Sequence, residues 1–279
     1  MIKYTWLGCA ASIIDLDGTK IFFDPFFYRN EKAKPILKTE KEDVKDISAI
    51  FISHGHFDHA TDAAWYAENR NVPVYCDDKG KNSMINWAEG KIIKKEAHTL
   101  SQKGKDNIKC VTFGDTIEIN EDIVVDIIKS RHIRFDKETI DGGLNSAGKA
   151  SARDMRLLMK VGAGFPLTKV FAFCIHYKGK KIVDYGSMFH KYAEIMKNYE
   201  NCDVLLVPIA GNSAENLAIK GGKVVDMLRP KIIIMTHWDA FFFPLPETDT
   251  KPFEEYVKKN HPDTKIIKPE IDREITLDI

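Results

Sequence analysis

The stretch FISHGHFDHA, residues 51–60, carries the metal-binding side chains His54, His56, Asp58 and His59. Imidazole nitrogens and carboxylate oxygens are preferred protein ligands of zinc. Alternate side chains of an extended segment point the same way, so His54 and His56 are expected to reach one ion together, while Asp58 and His59 turn towards a neighbouring point. A lone histidine is usually a satisfied core or surface residue. Four such side chains in six positions instead predict a site for one ion or two adjacent ions.

The segments around this turn are expected to hold it at the edge of a sheet. ISAIFIS, 47–53, is continuously apolar and predicts a strand buried on both faces. TDAAWYAENR has helical spacing and begins with a capping residue, Thr61 or Asp62, and VPVYC, 72–76, predicts another buried strand. Ligand sites of open α/β sheets lie at the carboxyl ends of strands, where this β–α–β unit would place the histidines.

Similar apolar runs recur along the rest of the chain. They predict a meander at 2–25, hairpins at 114–130 and 170–187, buried strands at 203–211 and 231–237, and helices at 192–200 and near 213–228. This order predicts an α/β (α+β) fold in one domain, 1–279, with two sheets and helices packed outside them. Residues 139–169 interrupt the rhythm with a helical patch between Gly-rich flanks and are a candidate lid.

Composition narrows the class of protein. Lys+Arg and Asp+Glu both number 41, so no net charge draws the chain to nucleic acid or to an anionic membrane. No apolar run is long enough to span a bilayer and the first residues lack a signal-peptide pattern, so a cytoplasmic protein is expected. The five cysteines form no CxxC pair, which excludes zinc-ribbon and disulfide-scaffold proteins. We expect a small-molecule substrate, no nucleic acid or membrane partner, and homo-oligomerisation as an option.

SHGHFDHA resembles the HxHxDH motif of the metallo-β-lactamase fold, a four-layer αββα sandwich that binds one or two metal ions. TWLG, IFFDP, SRHIR, CDVLLVPIAG and IIIMTHW also match the family in order, and the nearest subgroup looks like that of ascorbate-6-phosphate lactonase. The resemblance implies a first metal on His54, His56 and His132 and a second on Asp58, His59 and His237. His132 and His237 also follow predicted strands, which independently supports both. The implied cofactor is Zn²⁺, one or two ions, with Mn²⁺ or Fe²⁺ as alternatives.

The chain departs from this family at several positions. Relatives usually carry Gly-Asp-Thr, whose aspartate bridges the metals, but KKIVDYGSMFH places Ser187 there; Asp184 would reach the site only through a bulge. The GDT at 114–116 precedes the third histidine ligand and is interpreted as a turn. Cys9 stands where relatives often have histidine; it is expected in the core, with a role at the site's edge left open. Asp24 in FFDPF matches a family aspartate expected to steady the metal-site loops.

The resemblance implies a metal-dependent hydrolase that uses a metal-activated water on an ester, lactone, amide or phosphodiester. Asp58 would orient that water or take its proton. The alternative is a degenerate member that binds metal or ligand without turnover, which Ser187 favours. An iron redox enzyme ranks last, because diiron relatives typically carry glutamate at the position of His56.

Two further residues are candidates for binding substrate. Arg134 follows His132 by two and could offer a fork to an anionic group, although a surface arginine is an equal alternative. Trp238 opens an aromatic run after His237 that could wall a pocket or form a dimer contact. Among the remaining histidines, His190 is a weak further ligand candidate.

Overall fold

Two mixed sheets of seven strands each form the centre of the protein in the computed structural model, which describes residues 1–148, 150–187 and 196–279. The strands are β1 (Ile2–Trp6), β2 (Ser12–Leu16), β3 (Thr19–Phe23), β4 (Ile47–Phe51), β5 (Val74–Cys76), β6 (Ile108–Cys110), β7 (Thr116–Asn120), β8 (Ile123–Ser130), β9 (Val170–Tyr177), β10 (Lys180–Asp184), β11 (Val204–Pro208), β12 (Ile232–Thr236), β13 (Lys265–Ile267) and β14 (Glu274–Leu277). The first sheet has the order β14-β1-β2-β3-β4-β5-β6, and the second has the order β13-β12-β11-β10-β9-β8-β7.

The helices lie between the strands in sequence. They are α1 (Phe57–Ala60), α2 (Ala63–Asn69), α3 (Asp78–Ala88), α4 (Gln102–Asn107), α5 (Lys137–Ala147), α6 (Ala152–Gly164), α7 (Ala214–Leu228) and α8 (Lys251–Asn260), with short 3₁₀ helices at Lys94–Glu96 and Lys197–Tyr199. Most of the helix predicted at 192–200 lies outside the described residues. In the described ranges, no helix is both long and apolar enough to cross a membrane.

Aromatic side chains join the two sheets. Phe23 and Phe51 of the first sheet contact Phe173 of β9, with ring centroids 5.5 and 5.3 Å apart. Each fully buried aromatic ring of this kind contributes about 1.5–3 kcal/mol to folding. On β4, Ile50 points to the opposite face and packs in a second core with Ala63 and other residues of α2. β4 is therefore buried on both faces, as its apolar run predicts.

The strand predictions are confirmed in kind and order. β1 to β3 form the antiparallel meander, β7–β8 and β9–β10 form the two hairpins, and β4 and β5 pair in parallel across the predicted crossover. Sequence patterns missed β14, which pairs antiparallel with β1 and places Leu277 opposite Ile2. This pairing joins the two ends of the chain in one sheet, a contact that no local pattern reveals.

The segment predicted as a candidate lid contains α5 and α6. α6 begins with a capping box between Ser151 and Asp154. Val161 and Phe165 at its other end are 0% and 1% exposed and pack in the outer core of the first sheet. α6 is therefore anchored to the body of the protein, and α5 is the part of the segment that lines the cavity described below.

Candidate metal centre

The predicted ligands converge where β4, β8 and β12 end, in two neighbouring groups. Within each group, one ligand atom from every residue lies within 4.8 Å of the others. The groups are His54, His56 and His132, and Cys9, Asp58, His59 and His237. The ring centroids of His54 and His59 are only 4.0 Å apart, so the groups adjoin. The structure thus brings together the two sets that the resemblance implies and adds Cys9 to the second.

The histidine turn is shaped by a close approach of another loop. The Gly55 N–H donates to Thr168 Oγ1 at 2.8 Å, and a Cβ at position 55 would collide with the Thr168 side chain. Only glycine fits between the two histidines in this arrangement. Asp58 and His59 lie within the short helix α1 and not, as predicted, in a turn before α2. Asp62 does precede α2, but its carboxylate accepts hydrogen bonds from the N–H groups of residues 27 and 28 instead of capping the helix.

Protein partners hold the outer nitrogens of three histidines. His59 Nδ1 lies 2.7 Å from Asp24 Oδ2, His132 Nδ1 donates to the Ile133 carbonyl at 2.7 Å, and His54 Nδ1 lies 3.0 Å from Ser53 Oγ. A histidine whose Nδ1 donates in this way carries its lone pair on Nε2, which is then free to bind a metal. The donor set and its orientation therefore fit a divalent metal ion.

Asp24 organises this region. Its Oδ1 accepts from Ser53 N at 2.7 Å, and its Oδ2 accepts from Ser53 Oγ at 2.6 Å and from the His59 ring. This geometry suits the steadying role expected for Asp24. Sequence reasoning missed Ser53, whose only signal was its place directly before the first histidine of the motif.

Charge and burial set the protonation of the ligands. Burial lowers the pKa of His54 well below its usual value and, with neighbouring histidines, lowers the pKa of His56 to about 4. Burial alone would lower the pKa of His59, but the carboxylates of Asp24 and Asp58 outweigh it and raise that pKa to about 8. Burial opposes ionisation of Asp58, yet His59 and His237 hold its pKa far below the usual range. At physiological pH Asp58 is therefore a carboxylate and His54 and His56 are neutral, whereas His59 carries a proton on Nε2 that a metal ion would displace.

Ser187 and Asp184, the two candidates for the bridging position, both lie outside the two groups of ligands. Ser187 Oγ accepts from the Ile133 N–H at 3.1 Å, and Ser187 lies on the cavity wall. Asp184 is buried and belongs to neither group; burial and then the charge of Asp24 raise its pKa to about 7. Among the residues described, Asp58 is the one carboxylate in either group.

A buried ion pair that sequence reasoning missed lies beside the second group. Asp239 Oδ2 accepts from Arg29 Nη1 at 3.0 Å, and the two side chains are 0% and 6% exposed. Asp239 Oδ1 accepts from the Cys9 N–H at 2.9 Å. Burial raises the pKa of Asp239, an effect that Arg29 opposes. The ion pair connects the segment after β3 to the segment that carries His237, and its partners lie 210 residues apart in sequence. The hydrogen bond from Cys9 adds the β1–β2 turn to this contact.

The five histidines and Asp58 of the two groups line one side of a cavity of about 600 Å³, and Cys9 lies behind them. One wall comes from the start of α5, including Thr139 and Ile140, and the other from segments 208–214 and 245–249. Apolar side chains such as Phe241 line much of it. Its charged lining beyond the metal ligands and Asp239 is acidic: Glu138, Glu247 and Asp249. No Lys or Arg from the described parts of the chain lines this cavity.

The two candidate substrate-binding residues lie elsewhere. Arg134 is exposed and does not line the cavity; its carbonyl accepts from Asn212 Nδ2 at 2.7 Å. Trp238 is 9% exposed and stacks on Trp6 in the core, with ring centroids 5.0 Å apart. His237 has the left-handed φ of 58°, so the chain turns there and the next side chain points away from the cavity.

The aspartate of the GDT stretch and two further histidines of the described residues are not part of the two groups. Asp115 of the GDT stretch accepts from the Thr112 N–H at 2.7 Å in the turn before β7, as predicted. His176 and His261 contact Asp126 and Asp226 at 2.8 and 2.7 Å, far from the motif in sequence. His190 lies outside the described residues.

Comparison with known proteins agrees with this architecture. The family model of the Metallo-beta-lactamase superfamily matches residues 4–144. The chain belongs to the metallo-beta-lactamase superfamily. It is 26% identical over 267 residues to a UPF0173 metal-dependent hydrolase of Archaeoglobus fulgidus, covering 95% of each chain. It is 25% identical over 270 residues to one of Staphylococcus aureus strain Newman, covering 96% of this chain and 97% of the relative.

Solved structures show the same fold. Igni18, a metallo hydrolase from Ignicoccus hospitalis, superposes with a TM-score of 0.66 at 15% identity, covering 100% of this chain and 99% of that one. An isothiocyanate hydrolase from Delia radicum gut bacteria superposes with a TM-score of 0.61 at 15% identity, covering 99% and 100%. The predicted metallo-β-lactamase fold is confirmed, and the likeness to ascorbate-6-phosphate lactonase stays a prediction.

Proposed function

We propose that this protein is a metal-dependent hydrolase of a small molecule with an ester, lactone, amide or phosphodiester bond. The observation that carries the proposal is the convergence of six predicted ligands on the floor of a cavity of about 600 Å³. Cavities of this volume are typical of small-molecule sites. Relatives that match along almost the whole chain and are named metal-dependent hydrolases support the same function.

Zinc suits this donor set best, with manganese or iron(II) as alternatives, because imidazole, carboxylate and thiol side chains are its usual ligands. His54, His56 and His132 would hold one ion, and Asp58, His59 and His237 would hold the other. When bound, such an ion acidifies water to supply a nucleophile near neutral pH and polarises the scissile carbonyl or phosphoryl group.

The chain's own residues would position the reactants. Asp58 is ionised, and its Oδ2 lies 3.1 Å from His237 Nε2 and 3.6 Å from His59 Nε2. A carboxylate placed here can orient water or accept its proton. Asp24 and Ser53 keep the histidine rings in one orientation, so little reorganisation is needed when substrate arrives.

The lining of the cavity favours neutral or cationic substrates. Glu138, Glu247 and Asp249 place negative charge around it, and Phe241 and Ile140 offer apolar surface. The bound metal ions would attract an anionic scissile group, but these carboxylates repel an anionic group elsewhere on the substrate, by roughly tenfold in affinity. We therefore rank substrates whose remainder is neutral or cationic ahead of those that carry a further anionic group, and a nucleic-acid substrate last.

Metal content and hydrolysis measured together test the proposal. After purification with excess zinc, we expect one or two ions per chain and hydrolysis of generic ester or lactone substrates. His56→Ala should abolish hydrolysis and lower metal content. His261→Ala, which removes a histidine paired with Asp226 outside the groups, should change neither. A wild-type protein that binds no metal would refute the proposal.

The second candidate is a member of the superfamily that binds metal or ligand without turnover. Ser187 favours it, because a hydroxyl engaged by the Ile133 N–H replaces the usual bridging carboxylate. Bound metal without hydrolysis of any ester, lactone, amide or phosphodiester in the panel would support this candidate. Hydrolysis that is lost in His56→Ala would exclude it.

A further inference from the structure

Cys9 differs from the other buried cysteines in what surrounds its sulfur. Its thiol is 0% exposed, and Sγ lies 3.6 Å from Asp58 Oδ2 and 3.5 Å from the Asp58 carbonyl oxygen. Its sulfur and one ligand atom each of Asp58, His59 and His237 all lie within 4.8 Å of one another. A buried cysteine usually packs as a small apolar residue. This one faces a carboxylate and two imidazoles.

The backbone around Cys9 is held from several sides. Its N–H donates to Asp239 Oδ1 at 2.9 Å, and its carbonyl accepts from the Trp6 indole at 2.9 Å and from the His237 N–H at 2.7 Å. The last bond connects Cys9 directly to a predicted ligand. Cys9 also has φ of 49°, a left-handed conformation that costs a non-glycine residue about 1 kcal/mol or more. The turn keeps this strained conformation with the sulfur next to Asp58.

The separations from Asp58 Oδ2 are close to those of a tetrahedral zinc site. Zinc bonds are about 2.3 Å to sulfur and 2.0–2.2 Å to nitrogen or oxygen, so neighbouring ligand atoms lie about 3.3–3.7 Å apart. Asp58 Oδ2 lies 3.6 Å from Cys9 Sγ, 3.6 Å from His59 Nε2 and 3.1 Å from His237 Nε2. The other pairs of ligand atoms in the group lie within 4.8 Å, so the four side chains are placed to converge on one ion.

A thiolate at Cys9 would help to balance the positive charge of two bound metal ions. Two divalent ions would bring four positive charges to a site in which Asp58 is the one carboxylate among the described members of both groups. Ser187 adds no negative charge, and its Oγ already accepts from the backbone. A thiolate at Cys9 would supply a second negative charge to the second group, in place of a bridging carboxylate.

We infer that Cys9 is the fourth protein ligand of the second metal, which is held as a Cys-Asp-His-His site. The thiol loses its proton to solvent as the metal–sulfur bond forms. The inference rests on the proposed metal-dependent function because both require bound metal, but it concerns ligation and not turnover. It also changes the expectation for this chain, since the second site no longer depends on Ser187.

Cobalt substitution tests the inference without an activity assay. With two Co²⁺ ions per chain, the wild type should show a sulfur-to-cobalt charge-transfer band in the near ultraviolet, absent in Cys9→Ser and retained in Cys76→Ser. Cys76 is a matched control, a buried cysteine on β5 that belongs to neither group. In Cys9→Ser, affinity for the second ion should fall by at least tenfold, the smallest loss typical of residues that act only through a ligand.

X-ray absorption of the zinc-loaded wild type covers the case in which Cys9→Ser does not fold. One sulfur at about 2.3 Å per two zinc ions is expected. Two bound ions with only nitrogen and oxygen neighbours would overturn the inference and leave the proposed function standing. The sulfur signal without any hydrolysis would support the inference while the proposed function fails. A protein that binds no zinc or cobalt would overturn both.

Discussion

Replacing Asp24 by asparagine should weaken the second metal site although position 24 does not touch the metal. Asp24 accepts hydrogen bonds of 2.6–2.7 Å from Ser53 N, Ser53 Oγ and His59 Nδ1. Asparagine keeps one acceptor oxygen and presents an N–H₂ group to the other partners. If that group faces His59 Nδ1, the ring must carry its proton on Nε2, which is the atom that would bind the ion.

The expected loss is about 10–100-fold in affinity for the second ion, or about 1.4–2.8 kcal/mol. Competition with a chromophoric chelator, which separates the first and second binding steps, measures it. Asp24→Asn should leave the first step within about threefold, because the first group contacts Asp24 only through Ser53. Asp263→Asn, an exposed carboxylate on the C-terminal loop, is the control. Unchanged affinity for both ions in Asp24→Asn would refute the view that Asp24 orients His59.

Three other changes have outcomes set by the structure. Asp239→Ala leaves the Arg29 charge buried without its carboxylate and should lower the free energy of unfolding of the metal-free protein by about 3–5 kcal/mol in urea; a loss under 1 kcal/mol would contradict the buried pair. Burial opposes ionisation of Asp136, but hydrogen bonds from the starts of α5 and α7 outweigh it and hold its pKa below the usual value. The ionised Asp136 therefore stabilises the fold by about 1 kcal/mol after solvent screening, and this stabilisation is present above about pH 4 and lost as the pH falls through the folded-state pKa. The difference in free energy of unfolding between the wild type and Asp136→Asn should accordingly disappear in acid. A difference independent of pH would contradict this. Glu247→Lys should raise kcat/KM for an anionic ester relative to its neutral analogue by roughly tenfold, and an unchanged ratio would contradict the electrostatic argument for substrate choice.

Much of the fold was predictable because its signals are local. Continuous apolar runs identified β4, β5, β11 and β12, and Gly-rich turns identified the meander and both hairpins. A strand buried on both faces must be apolar throughout, so its own residues report its surroundings. The patterns missed several short or peripheral elements, among them α1 and β14. A four-residue helix has too little periodicity to be recognised, and the pairing of β14 with β1 connects opposite ends of the chain.

The candidate ligands were predictable from the sequence, and the structure brings them together. The spacing of His54, His56, Asp58 and His59 encodes their convergence, because a strand end followed at once by a short helix leaves few directions for their side chains. The two distant histidines, His132 and His237, were implied by the family resemblance, and their positions after strands supported both. Arg134 and Trp238 were named on spacing alone, and the structure brings neither into the cavity.

What surrounds the ligands was decided only by the tertiary structure. Asp239 belongs to no local sequence motif. Its carboxylate nevertheless accepts a hydrogen bond from the Cys9 N–H, 230 residues away in sequence, and forms an ion pair with Arg29, 210 residues away. Cys9 has the small side chain of a typical core residue. It contacts Asp58 only because the turn between β1 and β2 packs against the loop after β12. The acidic lining of the cavity likewise comes from segments far apart in the chain. The sequence determines the chemistry of each side chain, but tertiary packing determines which distant residues contact it and so change its orientation and pKa.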